Sequence, residues 1–225
     1  NSSKINKVQH FIYASSSSVY GLNSRMPLSV ARSANHPLSL YAATKRSNEL
    51  MAHSYSSLYN LLTTGVRFFT VYGPWGRPDM SYFKFVKSII NKRPIDVFGN
   101  GLHKRDFTYI DDIIQGLSKI IFNPPSKNNF DSRNPDPSIS CAPWRIYNIG
   151  NGVPVKLLDY IEAIEDALGK KASINLLPMQ PGDVLETHAD LSRIKKEYQY
   201  VPETSIQEGV KKFVKWYKDY FEIDE

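Results

Sequence analysis

Two periods of apolar residues run through the chain. Short apolar runs closed by small residues, Gly or Pro predict strands, and recurrences every three to four residues predict helices. Val8-Gln9-His10-Phe11-Ile12-Tyr13-Ala14 is a run of the first kind and leads into four serines, Ser15 to Ser18. It predicts a buried strand. The Ser-, Asn- and Pro-rich stretch to about Leu38 predicts loop. Leu40 to Tyr59 contains neither Gly nor Pro, and Tyr41, Thr44/Lys45, Asn48, Ala52 and Tyr55 recur at helical spacing. Gly65 precedes a second β-rich run, Val66 to Tyr72, which Gly73-Pro74-Trp75-Gly76-Arg77-Pro78 ends abruptly.

Beyond that turn, Phe83 to Asn91 predicts a helix stopped by Pro94, and Ile95 to Phe98 a short strand before the turn Gly99-Asn100-Gly101. Asp106 to Ile110 reads as a strand entering a helix, with Asp111 or Asp112 near its start. Asn123 to Pro143 is polar and Pro-rich, as in a long surface loop, and Arg145 to Gly150 is again strand-like. Val155 to Leu168 predicts a helix with Gly169 as its C-cap. Ser205 to Tyr220 predicts an amphipathic helix with Val210, Phe213, Val214 and Tyr217 on one face. Strands alternating with helices of this length indicate an α/β fold with a largely parallel sheet.

Composition narrows the classes. At 225 residues, 41% hydrophobic and 22% charged, the chain suits one or at most two globular domains, not a disordered one. No apolar run approaches the ~20 residues needed to span a bilayer. No charged-then-apolar secretory signal opens the sequence. The single cysteine, Cys141, excludes an intramolecular disulfide and a Cys-based zinc site. His10, His36, His53, His103 and His188 show no ligand spacing, so no metal is expected. The formal charge is +6, but the basic residues are scattered among acids, and the densest group (Arg193, Lys195, Lys196) is short. That pattern suits attraction of an anionic small substrate better than nucleic-acid binding.

Candidate chemistry begins with Tyr41 and Lys45, four apart on the predicted helix and so on one face. A free phenol, with a pKa of about 10, is a poor base near neutrality; a neighbouring ammonium stabilises the phenolate. Any Tyr-rich helix can produce this spacing by chance. The serines at the carboxyl end of a predicted parallel strand add a second signal, because ligands bind at that edge of open α/β sheets. A hydroxyl there can both donate to and accept from a substrate alcohol.

Ser15-Ser16-Ser17-Ser18-Val19-Tyr20-Gly21, then Tyr41-Ala42-Ala43-Thr44-Lys45, then Arg67 to Pro74 resemble the extended short-chain dehydrogenase/reductase superfamily. Within it, Gly73 to Met80, Lys104 to Asp112, Met179 to Val184 and the tail from Glu208 to Tyr217 are similar to UDP-glucuronate 4-epimerases. The resemblance spans about Phe11 to Tyr220. It lacks one part: none of the 12 glycines forms the Gly-x-x-Gly-x-x-Gly loop that holds a dinucleotide pyrophosphate. The chain therefore reads as the carboxyl two-thirds of an epimerase, with an exposed sheet edge. The implied fold is the C-terminal part of a Rossmann-like parallel sheet with a smaller α/β substrate-binding domain. Residues 1–74 would belong to the NAD-binding part and 75–225 mainly to the nucleotide-sugar part, with 106–123 and 145–150 returning to the Rossmann core.

The resemblance also implies roles. Tyr41 would be the base, Ser16 would hydrogen-bond the reacting oxygen, and Lys45 would tune Tyr41 and hold the nicotinamide ribose. Ala14, Phe68 and Val71 would line the NAD site. Ser17, Ser18, Thr70 and Arg77 would surround the sugar and its carboxylate, with Arg105 on the diphosphate and Asp183 on the nucleotide side. An Arg suits a carboxylate because its planar fork reaches both oxygens. Gln180 stands where many galactose-type epimerases carry an Arg. Ser17 and Ser18 stand where dehydratases carry Asp-Glu, and two hydroxyls move protons poorly near neutrality, which disfavours dehydration. The implied activity is NAD-dependent exchange of UDP-glucuronate and UDP-galacturonate, in a cytoplasmic homodimer. UDP-glucose/UDP-galactose epimerisation and a nucleotide-sugar-binding remnant without turnover are the alternatives.

Overall fold

The carboxyl ends of three parallel strands carry most of the residues singled out above. A computed structural model describes residues 1–23, 25–127 and 130–223. In chain order it comprises α1 (Ser2–Ile5), β1 (Phe11–Ser16), α2 (Leu40–Tyr59), β2 (Thr63–Phe68), β3 (Thr70–Tyr72), α3 (Ser81–Ile90), β4 (Ile95–Val97), β5 (Lys104–Arg105), β6 (Phe107–Tyr109) and α4 (Ile110–Ile121). β7 (Trp144–Ile149), β8 (Val155–Lys156), α5 (Leu157–Leu168), β9 (Ile174–Leu176), α6 (Ser192–Tyr198) and α7 (Ile206–Tyr220) follow. A single 3₁₀ turn, Ser17–Tyr20, directly continues β1.

The main sheet has the order β1-β2-β7, all parallel. Its register sets Ser15 opposite Arg67 and Arg67 opposite Asn148, so one polar level crosses all three strands. Among the described residues no strand pairs with the far edge of β1. The apolar run expected to continue from Val66 to Tyr72 breaks at Phe69. There the chain changes partner: the Phe69 amide still donates to Ile149 O, but the Thr70 amide donates to Asp106 O. β3 accordingly pairs with β6 rather than β7. Burial of the Phe69 ring, 5% exposed, accompanies the switch.

Two large hydrophobic cores, and a small third cluster of Val30, Ala142, Trp144 and Ile146, result among the described residues. One lies under the main sheet, with Val66, Phe69, Ile113, Tyr147, Ile149 and Ile194 among its members. The other joins α3, α5 and α7 around Tyr72, Phe107, Tyr160 and Phe213. Phe107 and Tyr160 are stacked at 4.0 Å. Val210, Phe213, Val214 and Tyr217 are the buried face of α7, as its periodicity predicts. Asp106 joins the pieces: its buried carboxylate accepts amides of Asn151, Gly152 and Ala189 at 2.7, 2.9 and 3.0 Å. α6 and β9 have no counterpart in the sequence reading. α6 buries only Ile194, and β9 is exposed throughout, so neither leaves a periodic signature.

Candidate active site

Ser39 sets the start of α2. It is extended (φ −140°) and its Oγ accepts the Ala42 amide at 3.1 Å, an N-cap that leaves Tyr41 in the first turn. Lys45 follows one turn on. Its Nζ donates to Ala14 O at 3.1 Å, at the end of β1, and lies 5.8 Å from the centroid of the Tyr41 ring. The Tyr41 side chain is 51% exposed. Ser16 closes β1: its Oγ accepts the Ser18 amide at 3.1 Å and donates to Ser18 Oγ at 3.2 Å, capping the 3₁₀ turn. α2 packs on both β1 and that turn. The structure thus brings Ala14, Tyr41 and Lys45 into one cluster and places Ser16 two residues beyond Ala14 on the same strand.

A cleft of about 600 Å³ opens beside the turn, and Ser17, Ser18, Thr70, Arg105 and Asp183 all line it. A second, of about 700 Å³, is lined by Lys84, Phe98, His103 and Gln180 and shares Thr70, Arg105 and Asp183 with the first. The two meet at an ion pair, Arg105 Nη2 to Asp183 Oδ1 at 2.8 Å. Arg105 Nη1 also donates to Leu185 O at 3.0 Å, so the guanidinium is fixed with part of its fork toward the clefts. Burial pulls its pKa down, against the pull of Asp183. His103 Nε2 lies 3.4 Å from Asp183 Oδ2. Burial and then the Arg105 charge lower its imidazole from the ordinary value, against the opposing pull of Asp183.

Arg77 stands outside both linings. Its Nε and Nη2 grip Asp79 at 3.0 and 2.5 Å, with the two side chains 72% and 60% exposed. An ion pair that open to water is worth little and is readily exchanged. Phe68 and Val71 are half-buried against the sheet-side core.

Beneath these groups lies a layer the sequence reading did not single out. Glu49, fully buried, accepts Ser15 Oγ at 2.6 Å, Arg67 Nε at 2.8 Å, Arg67 Nη2 at 2.9 Å and Arg46 Nη1 at 2.7 Å. Tyr20 lays its ring 4.7 Å from the Arg67 guanidinium and donates to Asn148 Oδ1 at 2.8 Å. The available signals were slight. Glu49 repeats the Tyr41–Lys45 spacing once more, and Arg67 interrupts an apolar run.

Gly21 ends the turn with φ 54° and ψ −118°. A Cβ there would sit 1.8 Å from the His36 carbonyl oxygen, which is backbone and cannot swing away. Gly21→Ala is expected to cost at least ~2 kcal/mol in denaturant unfolding; a melt matching wild type would refute that constraint.

The donor set fits a nicotinamide dinucleotide. Lys45 spends one proton on Ala14 O and is half-exposed, which suits ribose hydroxyls. Among the described residues no group of three or more His, Cys, Asp or Glu could hold a metal, and no helix is long and apolar enough to cross a membrane.

Comparison with known proteins follows the same lines. Residues 1–150 match the family model described as "NAD dependent epimerase/dehydratase family". The protein CapI of Staphylococcus aureus is 56% identical over 95% of this chain and 64% of its own length. A probable UDP-glucuronate 4-epimerase of Rhizobium meliloti is 48% identical over 93% of this chain and 62% of its own. The chain spans under two thirds of the length of these relatives. The crystal structure of UDP-glucuronic acid 4-epimerase from Bacillus cereus, in complex with UDP-glucuronic acid and NAD, superposes with a TM-score of 0.80. It is 34% identical and covers 97% of this chain and 64% of that one. With its parallel α/β sheet and these relatives, the chain belongs to the NAD dependent epimerase/dehydratase family.

Proposed function

We propose that the protein interconverts UDP-glucuronate and UDP-galacturonate at C4 through a 4-keto sugar. The observation that carries the reading is the joining of Tyr41, Lys45 and Ala14 at the end of β1, which runs through Ser16 into the turn whose Ser17 and Ser18 line the 600 Å³ cleft; Ala14, Ser16, Tyr41 and Lys45 themselves stand outside its lining. Bound NAD would accept the C4 hydride and return it to the opposite face. Tyr41 takes the 4-hydroxyl proton as the ketone forms and gives it back as the alcohol re-forms. Lys45, anchored on Ala14 O, sets its ammonium 5.8 Å from the centre of the Tyr41 ring. Ser16 hydrogen-bonds the reacting oxygen, and Ser17, Ser18 and Thr70 hold the sugar. Arg105 and Asp183, where the two clefts meet, serve the diphosphate and the nucleotide. The keto intermediate of a uronic acid is a β-keto acid, so a carboxylate held out of alignment is what protects it from decarboxylation.

The cores support part of the division expected from sequence, residues 1–74 with the returning segments 106–123 and 145–150 on the NAD side: Val66, Phe69, Ile113, Ile120, Tyr147 and Ile149 pack in the sheet-side core, whereas Tyr72, Phe107 and Tyr109 pack in the core of α3, α5 and α7. Residues 189–200 join that side as well, since Ala189, Leu191, Ile194 and Tyr200 pack in the sheet-side core. Exposed Leu50, Met51 and Leu58 on α2 support a homodimer through that helix.

The test is incubation of the intact protein with NAD and UDP-glucuronate, with products separated by anion-exchange chromatography. UDP-galacturonate is expected. No product, or turnover of UDP-glucose alone, would sink the assignment. Arg77→Ala is expected to raise KM for the uronate roughly tenfold or more, the loss of one charge-assisted contact, and to leave a neutral UDP-sugar unaffected. For that contact the substrate carboxylate must displace Asp79.

A further inference from the structure

We propose that Glu49 and Arg67 are positioning residues: the buried polar level they build fixes the mutual placement of the three pieces that carry Tyr41, Lys45, Ser16, Ser17 and Ser18. The inference rests on the reading of the active site given above. One turn of α2 grips the end of β1 at two successive residues. Lys45 holds Ala14 through its carbonyl, and Glu49 holds Ser15 through its hydroxyl. The next residue is Ser16, whose Oγ caps the turn bearing Ser17 and Ser18. Arg67, the register partner of Ser15 on β2, locks Glu49 from the sheet with two parallel bonds. Tyr20, the last residue of the same turn, covers the guanidinium face and ties itself to Asn148, the register partner of Arg67 on β7. Asn148 in turn donates to Leu28 O at 2.7 Å, on the wall of the 600 Å³ cleft.

Stability alone does not call for such a level. A buried ion pair can commonly be replaced by apolar side chains of similar volume without loss of stability. What apolar contacts cannot supply is direction, because dispersion and burial are indifferent to the angle at which Ser15 meets α2. Fixed bond directions matter where small errors in placement cost large factors in rate.

The test separates geometry from stability. In the intact protein, S15A/E49L/R67M removes the pair together with the hydroxyl that would otherwise be stranded; Arg46, 18% exposed, can turn to solvent. The variant is expected to melt within a few degrees of wild type and to lose more in kcat than it gains in KM for UDP-glucuronate. Its kcat should fall about tenfold or more. A folded triple variant with wild-type kcat overturns the proposal. Should the triple variant not fold, S15A alone decides: kcat should drop about threefold or more in protein that is still fully folded at the assay temperature, and an unchanged kcat overturns the proposal equally. Y41F in the same assay distinguishes the two levels of argument. Turnover by Y41F sinks the active-site reading itself, whereas an inactive Y41F beside a fully active triple variant sinks only the positioning role.

Discussion

Tyr41→Phe is expected to lower turnover of UDP-glucuronate by about 10²–10⁴-fold, the range for loss of a positioned general base. Affinity for the nucleotide sugar and for NAD should hardly change. The change removes one oxygen from a side chain that is 51% exposed, so no core contact is lost and no buried group is abandoned. The ring that faces the Lys45 ammonium remains. Calorimetric titration with UDP-glucuronate, thermal melting and the epimerisation assay together make the check. Equal melting, equal affinity and lost turnover locate the proton acceptor. Turnover within a few-fold of wild type would assign the proton to another group. Lys45→Met should act differently, freeing Ala14 O and weakening the cofactor side, so its effect should appear in the NAD concentration needed as well as in kcat.

How much of this was legible in the sequence depends on how local each cause is. The bounds of α2 were readable because Ser39 caps one end, Asn60 turns left-handed at the other, and nothing between breaks the helix. The break at Phe69 was not, because the Thr70 amide turns to Asp106 O, between β5 and β6, which no pattern within 66–72 encodes. Gly169 was legible as a left-handed C-cap, at φ 65°. In the site, the Tyr41–Lys45 spacing and the serine run announced themselves, whereas Arg105 and Asp183 are 78 residues apart and only folding joins them. The Ser15–Glu49–Arg67 level was hidden for a different reason. A lone Glu on a polar helix and a lone Arg in a strand read as surface charges, and only the register of three parallel strands makes them partners.

Breaking that level on one side is expected to produce the largest loss of stability. Glu49→Ala leaves Arg67, 1% exposed, buried without its counter-charge, a situation that costs about 3–5 kcal/mol. For a chain of this size each kcal/mol moves Tm by about 2–4 °C, so a fall of about 6–20 °C is expected. The deficit should depend on pH with a defined sign. Burial pushes the Glu49 carboxyl up, but the hydrogen bonds and charge of Arg67, then Ser15 and Arg46, outweigh it and hold the carboxyl below its ordinary 4.5. A carboxyl whose folded value lies below its unfolded one stabilises fully above the unfolded value and loses that contribution as pH falls through the folded one. Wild type should therefore lose this increment on acidification below 4.5, and the variant has none to lose, so their melting temperatures should converge. Melts at neutral pH and at successive steps below 4.5 make the comparison. A gap in Tm that stays constant through the acid range would mean that Glu49 is not held as an ionised carboxylate by Arg67.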